Sequence, residues 1–597
     1  MNAVKITSLL FIIFAYFTCN AQPKTEKPNV IFILTDDQGY GDMGCHGNPW
    51  IKTPHLDELH SESIRFTNFH VGTTCAPSRA GLLTGNYCNK VGVWHTVKGR
   101  EILNADQLTL AEVFKNAGYA TGIFGKWHLG DNYPYRPQDR GFDKVLLHGG
   151  GGVGQTPDYW NNDYFDDTYF RNGEPEKFVG YCTDIWFEEA KKFIKNNKEK
   201  PFFCYLSTNA PHSPYRVEDK YSQPYMNNDS VPNPYFYGMI ANIDENIGKL
   251  RDFLKDENLV ENTILVFMTD NGTAAGVDLD KNGRVIRGYN AGMRGKKASA
   301  FEGGHRVPFF IYWGKEKLNT GKDINVLSSY IDFMPTVLEL CGIKTNKKND
   351  FDGKSLVPLF YKSNISWPER ILFTDTQREE NLTKYKDYCI MTDRWRLLNG
   401  GLYDIKNDPG QFYNVAKDFP EVVANLNKAY ERWWKLVSVN KDSINALCLG
   451  SDNAPRVTLT SHDLHAEKGV VPWSQVMVRL GNGGAIGHWV VKIAKSGLYQ
   501  FELQRWPVES GLKLKDPATE GEPVPGDAPY PKGKALYIKE AWIKIGEQEF
   551  RNSINDGAEH SIFNIKLEKG TYKLYCRFKD IEENMRDAYY VYVSYQN

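Results

Sequence analysis

The sequence is 597 residues long, with 41% hydrophobic residues and a formal net charge of -1 at pH 7. A single hydrophobic core stops growing at roughly 250 to 300 residues, so this length predicts at least two domains. Because the composition has no basic excess to neutralise phosphates, it disfavours a nucleic-acid partner.

Residues 1–21 have the layout of a secretory signal peptide. Lys5 precedes the apolar run at residues 9–15, and small or polar residues follow. The run is well short of the ~20 residues that a membrane-spanning helix needs. Cleavage after Ala21 predicts an exported, periplasmic or secreted protein. Lipidation of Cys19 would instead tether it to a membrane, although Phe17-Thr18 makes a poor lipidation box.

Continuous apolar runs then predict buried parallel strands at residues 29–34, 120–124, 202–206 and 263–268. Helical patterns lie between them, at residues 108–117 and 183–196. Strands that alternate with helices in this way indicate an α/β domain with a mostly parallel sheet flanked by helices. We assign this domain to residues 22–365.

The pattern changes after the α/β domain. Short alternating strands between residues 371 and 403, followed by a helix over 420–437, predict a small antiparallel α+β subdomain at residues 366–445. From about Ser451 we expect no further helices. Recurrent short strands rich in Tyr, Phe, Trp and Val predict a C-terminal β-sandwich over residues 446–597.

The 10 cysteines are too sparse for a disulfide scaffold, and no CxxC pair indicates a zinc site. One or two structural disulfides stay open, and the sequence does not assign their pairing.

Polar residues follow two of the predicted parallel strands. Asp36 and Asp37 come after residues 29–34, and Asp270 and Asn271 come after residues 263–268. Open α/β sheets bind ligands at the carboxyl ends of their strands. Since these side chains offer only hard oxygen ligands, they favour Ca²⁺ or Mg²⁺ over zinc.

Residues 75–85 read CAPSRAGLLTG. The segment resembles the C-x-P-S-R-x-x-x-L-T-G signature of type I sulfatases in the alkaline phosphatase superfamily, and the resemblance covers residues 28–437. It implies an alkaline-phosphatase-like fold. It also implies that a formylglycine-generating maturation enzyme, which reads C-x-P-x-R, oxidises Cys75 to formylglycine (3-oxoalanine).

An aldehyde at this position suits sulfate ester hydrolysis. One hydroxyl of the hydrated aldehyde attacks sulfur, and the other can lose its proton so that sulfate is expelled as the aldehyde re-forms. A serine or an unmodified cysteine would be left with a stable sulfate ester.

Three further segments resemble sulfatase motifs: GKWHLG at residues 125–130, NAPHSP at 209–214 and RGKKASAFEGG at 294–304. The resemblance implies that His128 is the base that drives elimination and that Lys126 binds sulfate. His212 and Lys297 would bind sulfate and protonate the departing oxygen, and counting back from Glu302 selects Lys297 over Lys296. Arg79 would neutralise charge on the aldehyde hydrate. One Ca²⁺ would be held by Asp36, Asp37, Asp270, Asn271 and the modified Cys75.

We therefore interpret the chain as a calcium-dependent sulfatase that desulfates a sulfated polysaccharide or its oligosaccharides, with an algal glycan such as ulvan as one candidate. A phosphatase or phosphodiesterase of the same superfamily would need a Ser or Thr nucleophile and two-metal spacing, which the sequence lacks. A non-catalytic carbohydrate-binding protein would require an unmodified Cys75. The β-rich tail, including LTSHD at residues 459–463, looks like an accessory module of some bacterial sulfatases.

Overall fold

The computed structural model describes residues 27–344, 351–361, 365–482 and 484–596. The predicted signal peptide at residues 1–21, with Cys19, lies outside the described residues. No helix in the described ranges combines the length and the apolar character needed to cross a membrane.

A 10-stranded sheet forms the centre of the α/β part of the chain. Its central strands are parallel, as predicted, and antiparallel strands flank them. In spatial order the strands are Asp323–Ile324, Ile64–Phe66, Phe309–Tyr312, Thr263–Thr269, Asn29–Thr35, Phe202–Ser207, Ala120–Gly125, Lys144–Leu147, Thr168–Arg171 and Glu174–Lys177.

The strand Asn29–Thr35 shows why the apolar runs in the sequence are continuous. Phe32 and Leu34 belong to the hydrophobic cluster on one face of the sheet, whereas Ile31 and Ile33 belong to the cluster on the other face. Because side chains alternate between the faces and helices cover both, every position of the strand is buried.

The helices of the α/β part begin with Pro54–Glu62 and Cys75–Thr84. The two predicted helices are found at Leu110–Asn116 and Cys182–Asn197. The others are Asp219–Ser222, Pro234–Asp256, Glu302–His305, Phe333–Leu340 and Val357–Tyr361. Two small pairings, Val277–Leu279 with Val285–Gly288 and Phe69–His70 with Ser328–Ser329, complete this part.

The predicted antiparallel unit is a four-stranded sheet followed by one long helix. Leu397, Leu402 and Trp433 of this unit belong to the same hydrophobic cluster as Phe32, so the unit packs directly against the central sheet. Its strands are Leu372–Asp375, Tyr388–Met391, Trp395–Leu398 and Gly401–Asp404, and its helix is Pro420–Val437.

The C-terminal part is a sandwich of a seven-stranded and a four-stranded sheet around one hydrophobic cluster. The first contains Leu447–Leu449, Ile486–Ile493, Gly570–Asp580, Ile538–Ile545, Gln548–Ser553, His465–Lys468 and Met585–Asp587. The second contains Arg456–Thr460, Tyr590–Gln596, Gly497–Gln504 and Ser561–Leu567. These observations confirm the predicted fold class, whereas the exact domain boundaries stay predictions.

The expectation that helices end before Ser451 is wrong at one point, because a helix covers Gln475–Leu480. The Ser474 hydroxyl accepts a hydrogen bond from the Met477 amide at its start, and Gly481 adopts a left-handed conformation (φ 63°) at its end. A serine cap and a terminal glycine are ordinary helix signals. The prediction missed this helix because it is short and lies within a strand-rich pattern.

The sandwich packs against loops of the α/β part. Ile102 and Tyr135 contribute to the hydrophobic cluster of the sandwich, and Trp160 packs with Val478 and Trp506. These contacts bring residues of the C-terminal part next to the loops that follow the central strands. All nine described cysteines have free thiols, so the described residues contain no disulfide.

Candidate active site

The carboxyl ends of two neighbouring parallel strands bring the predicted acidic residues together. Thr35 pairs with Thr269, so Asp36 and Asp270 follow at equivalent positions. The Asp37 amide donates to Asp270 Oδ1 at 3.1 Å, and the side chains of Asp36, Asp270 and Asn271 are completely buried. The strand-end placement predicted from the sequence therefore produces one dense polar cluster.

The cluster fits a hard divalent cation. Asp36, Cys75 and Asp270 offer ligand atoms that all lie within 4.8 Å of one another. Asp36 Oδ1 and Asn271 Oδ1 are buried without a hydrogen-bond partner among the described residues. Burial and the neighbouring Asp270 carboxylate raise the pKa of Asp36 well above its usual range. A cation bound by these oxygens would satisfy the unpaired atoms and offset the repulsion between the carboxylates.

Cys75 is the first residue of the helix Cys75–Thr84 and is only 2% exposed. Thr74 precedes the helix in an extended conformation, and Gly85 ends it with a left-handed φ of 68°. Burial raises the pKa of the Cys75 thiol, although Lys126 and Lys297 act in the opposite direction. A buried thiol of this kind is mostly neutral at neutral pH and is therefore a weak nucleophile.

Arg79 lies one helical turn after Cys75 and is also completely buried. Its Nη2 is 2.7 Å from Asp270 Oδ2, its Nε is 3.1 Å from the same oxygen, and its Nη1 donates to the Ser207 hydroxyl. Ser207 ends the parallel strand Phe202–Ser207, so the strand-end rule that selected Asp36 could also have found it. Ser207 was not among the residues predicted from the sequence.

The segment with Lys126 and His128 follows the end of another parallel strand. Gly125 ends this strand with a φ of 113°, and a Cβ placed on it would lie 1.9 Å from the Ser207 carbonyl oxygen, so only glycine fits. The next residue, Lys126, extends its Nζ to 2.5 Å from Asp36 Oδ2. The glycine of the GKWHLG motif therefore lets the backbone approach its neighbour closely enough to direct Lys126 into the cluster.

The two ring nitrogens of His128 have different surroundings. Its Nε2 lies 2.9 Å from the Thr96 carbonyl oxygen, and because a carbonyl only accepts, Nε2 carries the proton. Its Nδ1 is buried and has no hydrogen-bond partner among the described residues. Burial and the charge of Lys126 hold the pKa of His128 well below its usual range, so the ring is neutral at neutral pH with a free lone pair on Nδ1.

Lys297 and His212 both face Asp37. Lys297 Nζ lies 2.6 Å from Asp37 Oδ1, and His212 Nε2 lies 3.7 Å from Asp37 Oδ2. Lys296 points elsewhere, with its Nζ 3.4 Å from the Val277 carbonyl oxygen. Of the two adjacent lysines, Lys297 is the one that contacts the cluster.

Asp37, Lys297 and His212 lie close enough for their charges to shift the pKa values of one another. Burial alone would lower the pKa of Lys297, but Asp37 raises it above its usual range. Burial would likewise raise the pKa of Asp37, and the charge of Lys297 lowers it. Burial and the charge of Lys297 lower the pKa of His212 to about 4. In this arrangement Lys297 is a firmly charged ammonium group and His212 is neutral.

A cleft of about 290 Å³ opens above the cluster. We call the cluster the floor, consisting of Asp36, Asp37, Cys75, Arg79, Lys126, His128, His212, Asp270, Asn271 and Lys297; all are buried except the partly exposed His212 and Lys297. We call the residues at the mouth of the cleft the rim, consisting of Lys98, Arg378, Val470, Val471 and Trp473; all are at least partly exposed except Val471. The structure brings every predicted site residue into the floor. No rim residue was predicted from the sequence, because the rim residues lie on loops that carry no motif.

A glycine and a histidine connect the floor to the C-terminal sandwich. A Cβ on Gly151 would lie 2.2 Å from His128 Cε1, so the Gly151 backbone packs directly on the imidazole. The Gly151 amide donates to Gln155 Oε1 at 2.8 Å, and His462 of the sandwich lies 3.0 Å from the same oxygen through its Nε2. The imidazole of His462 is also 3.3 Å from buried Glu101, through Nδ1. The segment LTSHD therefore contacts the active site.

Comparison with known proteins is consistent with this geometry. The sulfatase family model matches residues 28–343, and the model for the C-terminal part of N-sulphoglucosamine sulphohydrolase matches residues 295–435. Arylsulfatase G of Rattus norvegicus is 31% identical over 472 residues, which cover 70% of this chain and 88% of the relative. N-acetylgalactosamine-6-O-sulfatase of Bacteroides thetaiotaomicron is 28% identical over 500 residues, which cover 68% of this chain and 93% of the relative.

Among solved structures, Ps i-CgsB in complex with k-i-k-neocarrahexaose superposes with a TM-score of 0.61 at 27% identity. The match covers 70% of this chain and 99% of that protein. The chain belongs to the sulfatase family and is a sulfuric ester hydrolase. This assignment confirms the sulfatase interpretation over the phosphatase and the non-catalytic alternatives. Neither family match extends beyond residue 435, so the C-terminal sandwich lies outside both.

Proposed function

We propose that this sulfatase removes sulfate from a sulfated polysaccharide or its oligosaccharides through a formylglycine formed at Cys75. The observation that carries the proposal is that Cys75 lies among three positively charged side chains, an acidic cluster and a neutral histidine at one edge of the sheet, and all of them except the partly exposed Lys297 are buried. The hydrated aldehyde would supply one hydroxyl to attack sulfur and a second whose deprotonation expels sulfate.

Asp36, Asp37, Cys75, Asp270 and Asn271 would hold one Ca²⁺. Their oxygen-rich donor set and the unpaired atoms Asp36 Oδ1 and Asn271 Oδ1 support this assignment. The bound ion would polarise sulfate oxygens and favour the ionised form of the nucleophile.

Arg79, Lys126 and Lys297 stabilise negative charge in this proposal. Asp270 holds the Arg79 guanidinium in place, Asp36 holds the Lys126 ammonium, and Asp37 holds the Lys297 ammonium. Because the carboxylates fix these groups before substrate arrives, little reorganisation is needed as charge develops on the sulfuryl group.

His128 acts as the base of the elimination step. Its Nε2 proton is engaged by the Thr96 carbonyl oxygen, so Nδ1 is the nitrogen that accepts a proton. Since burial and Lys126 lower the pKa of His128, the accepting form is already present at neutral pH.

Lys297 and His212 act on the departing oxygen. His212 Nδ1 lies 2.7 Å from the Ser213 carbonyl oxygen, so the ring uses Nδ1 as a donor and leaves Nε2 facing the site. Lys297 carries the available proton in this pair because its pKa is raised, whereas that of His212 is lowered to about 4. A bound sulfate ester would raise the pKa of His212 by its negative charge, and once Nε2 is protonated it can donate a hydrogen bond to the leaving oxygen and orient it.

The carbohydrate class is supported by the similar proteins. One relative is named for N-acetylgalactosamine 6-O-sulfate and a structural neighbour holds a neocarrahexaose. An algal glycan such as ulvan is one member of the proposed substrate class. The proposal also includes export from the cytoplasm and modification of Cys75 by a formylglycine-generating maturation enzyme.

Mass spectrometry of the peptide around Cys75, combined with sulfate release, tests the mechanism. We expect the aldehyde in active protein and a loss of kcat/KM of about 10⁴-fold or more in Cys75→Ala, since this residue supplies the nucleophile. Cys75→Ser should not restore turnover, because a serine sulfate cannot collapse to an aldehyde. Cys88→Ala changes another buried thiol in the same part of the chain and serves as the control.

Full turnover by protein with an unmodified Cys75 thiol would contradict the mechanism. The substrate panel should contain 4-nitrophenyl sulfate, sulfated galactosamine sugars, carrageenan oligosaccharides and ulvan oligosaccharides. Sulfate release from the aryl ester but from no sugar would contradict the carbohydrate assignment while leaving the mechanism intact.

A further inference from the structure

The rim joins stretches of chain that are far apart in the sequence. Lys98 lies in a loop of the α/β part, and Arg378 follows the strand Leu372–Asp375. Val470, Val471 and Trp473 come from the C-terminal sandwich, between the strand His465–Lys468 and the helix Gln475–Leu480. All of them line the same cleft as Cys75, so a molecule whose sulfate reaches the floor must pass between them.

Hydrogen bonds fix these stretches relative to one another. Two side chains near Lys98 bind the segment after Arg378, and the backbone of Lys98 binds the sandwich. The contacts are Trp94 Nε1 to the Glu379 carbonyl oxygen at 3.2 Å, Arg100 Nε to the Glu380 carbonyl oxygen at 3.0 Å, and the Lys98 amide to the His462 carbonyl oxygen at 2.8 Å. Specific hydrogen bonds therefore hold the loops of the rim in a fixed arrangement.

Trp473 presents an aromatic side chain at the mouth of the cleft. Its carbonyl oxygen accepts a hydrogen bond from the Thr156 amide at 3.0 Å, which fixes the backbone against the α/β part. Its side chain is 40% exposed, and the indole nitrogen has no hydrogen-bond partner among the described residues. A fixed and partly exposed indole offers an apolar face with a polar edge, which suits the apolar face and the hydroxyls of a sugar ring.

Lys98 and Arg378 carry charges that the protein does not pair. Across the described ranges, neither side chain donates a hydrogen bond or forms an ion pair. The nearby carboxylates are engaged by other groups, since Glu379 binds Lys386 and Glu380 binds Arg100 and His465. The rim therefore keeps two positive charges directed at a cleft whose floor already binds one sulfate group.

We propose that the rim is a sugar subsite in which Trp473 packs against the ring that bears the reacting sulfate, while Lys98 and Arg378 bind a second anionic group of the same substrate. This second group is a carboxylate or a second sulfate, and the subsite rests on the proposed function of the floor. The C-terminal sandwich thus contributes directly to the choice of substrate.

Calorimetric binding to Ca²⁺-loaded Cys75→Ala protein tests the subsite without turnover. One series compares N-acetylgalactosamine 6-sulfate with N-acetylgalactosamine 4,6-disulfate and with a chondroitin 6-sulfate disaccharide, which add a sulfate and a carboxylate respectively. A second series compares κ-neocarrabiose with ι-neocarrabiose. We expect the doubly anionic members to bind about 10- to 100-fold more tightly, the range expected for one added hydrogen bond to a charged group.

Variants assign the effect to the rim. Lys98→Gln and Arg378→Gln should each reduce the preference for a doubly anionic sugar towards 1. Lys441→Gln and Arg432→Gln remove matched charges at exposed positions outside the cleft and should leave the preference unchanged. Trp473→Ala should weaken the binding of both singly and doubly anionic sugars by about 5- to 10-fold. Trp473→Phe should retain most of the affinity because it keeps an aromatic face.

Each result supports or overturns the subsite. A preference for the disulfates identifies sulfate as the second group, and a preference for the uronate identifies a carboxylate. Equal affinity for singly and doubly anionic sugars, or a preference that survives both Gln variants, would overturn it while leaving the proposed function intact. If no sulfated sugar binds and none releases sulfate with the wild-type protein, both the subsite and the carbohydrate function are wrong.

Discussion

The floor and the rim of the cleft are built in opposite ways. In the floor, Lys126 and Lys297 are locked in short ion pairs with buried aspartates. In the rim, the charges of Lys98 and Arg378 are free of protein partners across the described ranges, and Trp473 is 40% exposed. The difference indicates that the floor is preorganised for one chemical group, and it supports the proposal that the rim binds the remainder of the substrate.

Removal of the proposed cation should have the largest effect on the floor. We expect chelation to lower sulfate release by at least roughly 10³-fold, because the carboxylates of the cluster would repel each other and the sulfate oxygens would lose a strong electrostatic partner. Added Ca²⁺ should restore the activity. Elemental analysis should find one calcium per chain, and two zinc ions per chain would contradict a single site made of hard oxygen ligands.

The adjacent lysines give a sharper comparison inside the floor. Lys297→Ala should reduce kcat by about 10²- to 10³-fold, because it removes a preorganised charge at the departing oxygen. Lys296→Ala is the matched control and should change kcat by less than about threefold, since among the described residues the Lys296 side chain hydrogen-bonds only to the Val277 carbonyl oxygen. Steady-state kinetics on one sulfate ester measures both variants. A larger loss in Lys296→Ala would show that the two lysines have been assigned in the wrong order.

A smaller effect on activity is expected from a substitution at the contact between the floor and the sandwich. His462→Ala removes the contact with Gln155 Oε1 and leaves buried Glu101 without its partner. We expect kcat/KM for a sulfated sugar to fall about 3- to 10-fold and the free energy of unfolding to fall by about 3 kcal/mol, as for a broken buried ion pair. Sulfate release and thermal unfolding measure the two effects.

His560→Ala is the control for this change, because His560 is exposed in the same sandwich. If both histidine variants behaved alike, the contact between His462 and Gln155 would not be what holds the two parts of the cleft together.

The contrast between the floor and the rim also explains which site residues could be predicted from the sequence. Asp36 and Asp270 follow apolar runs that are easily recognised as parallel strands, and the residues around Cys75 form an unbroken motif, so their convergence was predicted. The resemblance also indicated Lys126, His128, His212 and Lys297. Local patterns and motifs were sufficient because the floor is built from strand ends and the segments directly after them.

The rim could not be predicted by these means. Lys98, Arg378 and Trp473 lie on loops of three parts of the chain, and they meet only because the antiparallel unit and the sandwich both pack against the α/β part. Their residue types are common on protein surfaces, and no spacing between them is fixed by a helix or a strand. The segment LTSHD resembles part of a sulfatase accessory module, yet only the packing of the sandwich against the α/β part places His462 beside Gln155.

The hydrogen bonds behind the rim also concern the order in which the chain is synthesised. The Ser461 amide binds the Tyr589 carbonyl oxygen at 2.9 Å, and the Ser461 hydroxyl binds the Pro472 carbonyl oxygen at 2.6 Å. The segment that carries Trp473 is thus anchored next to the final strand, Tyr590–Gln596, which lies between Arg456–Thr460 and Gly497–Gln504. A growing chain contains every residue of the floor long before this strand exists, so the residues proposed to carry the chemistry are synthesised before the strand that anchors the proposed sugar subsite.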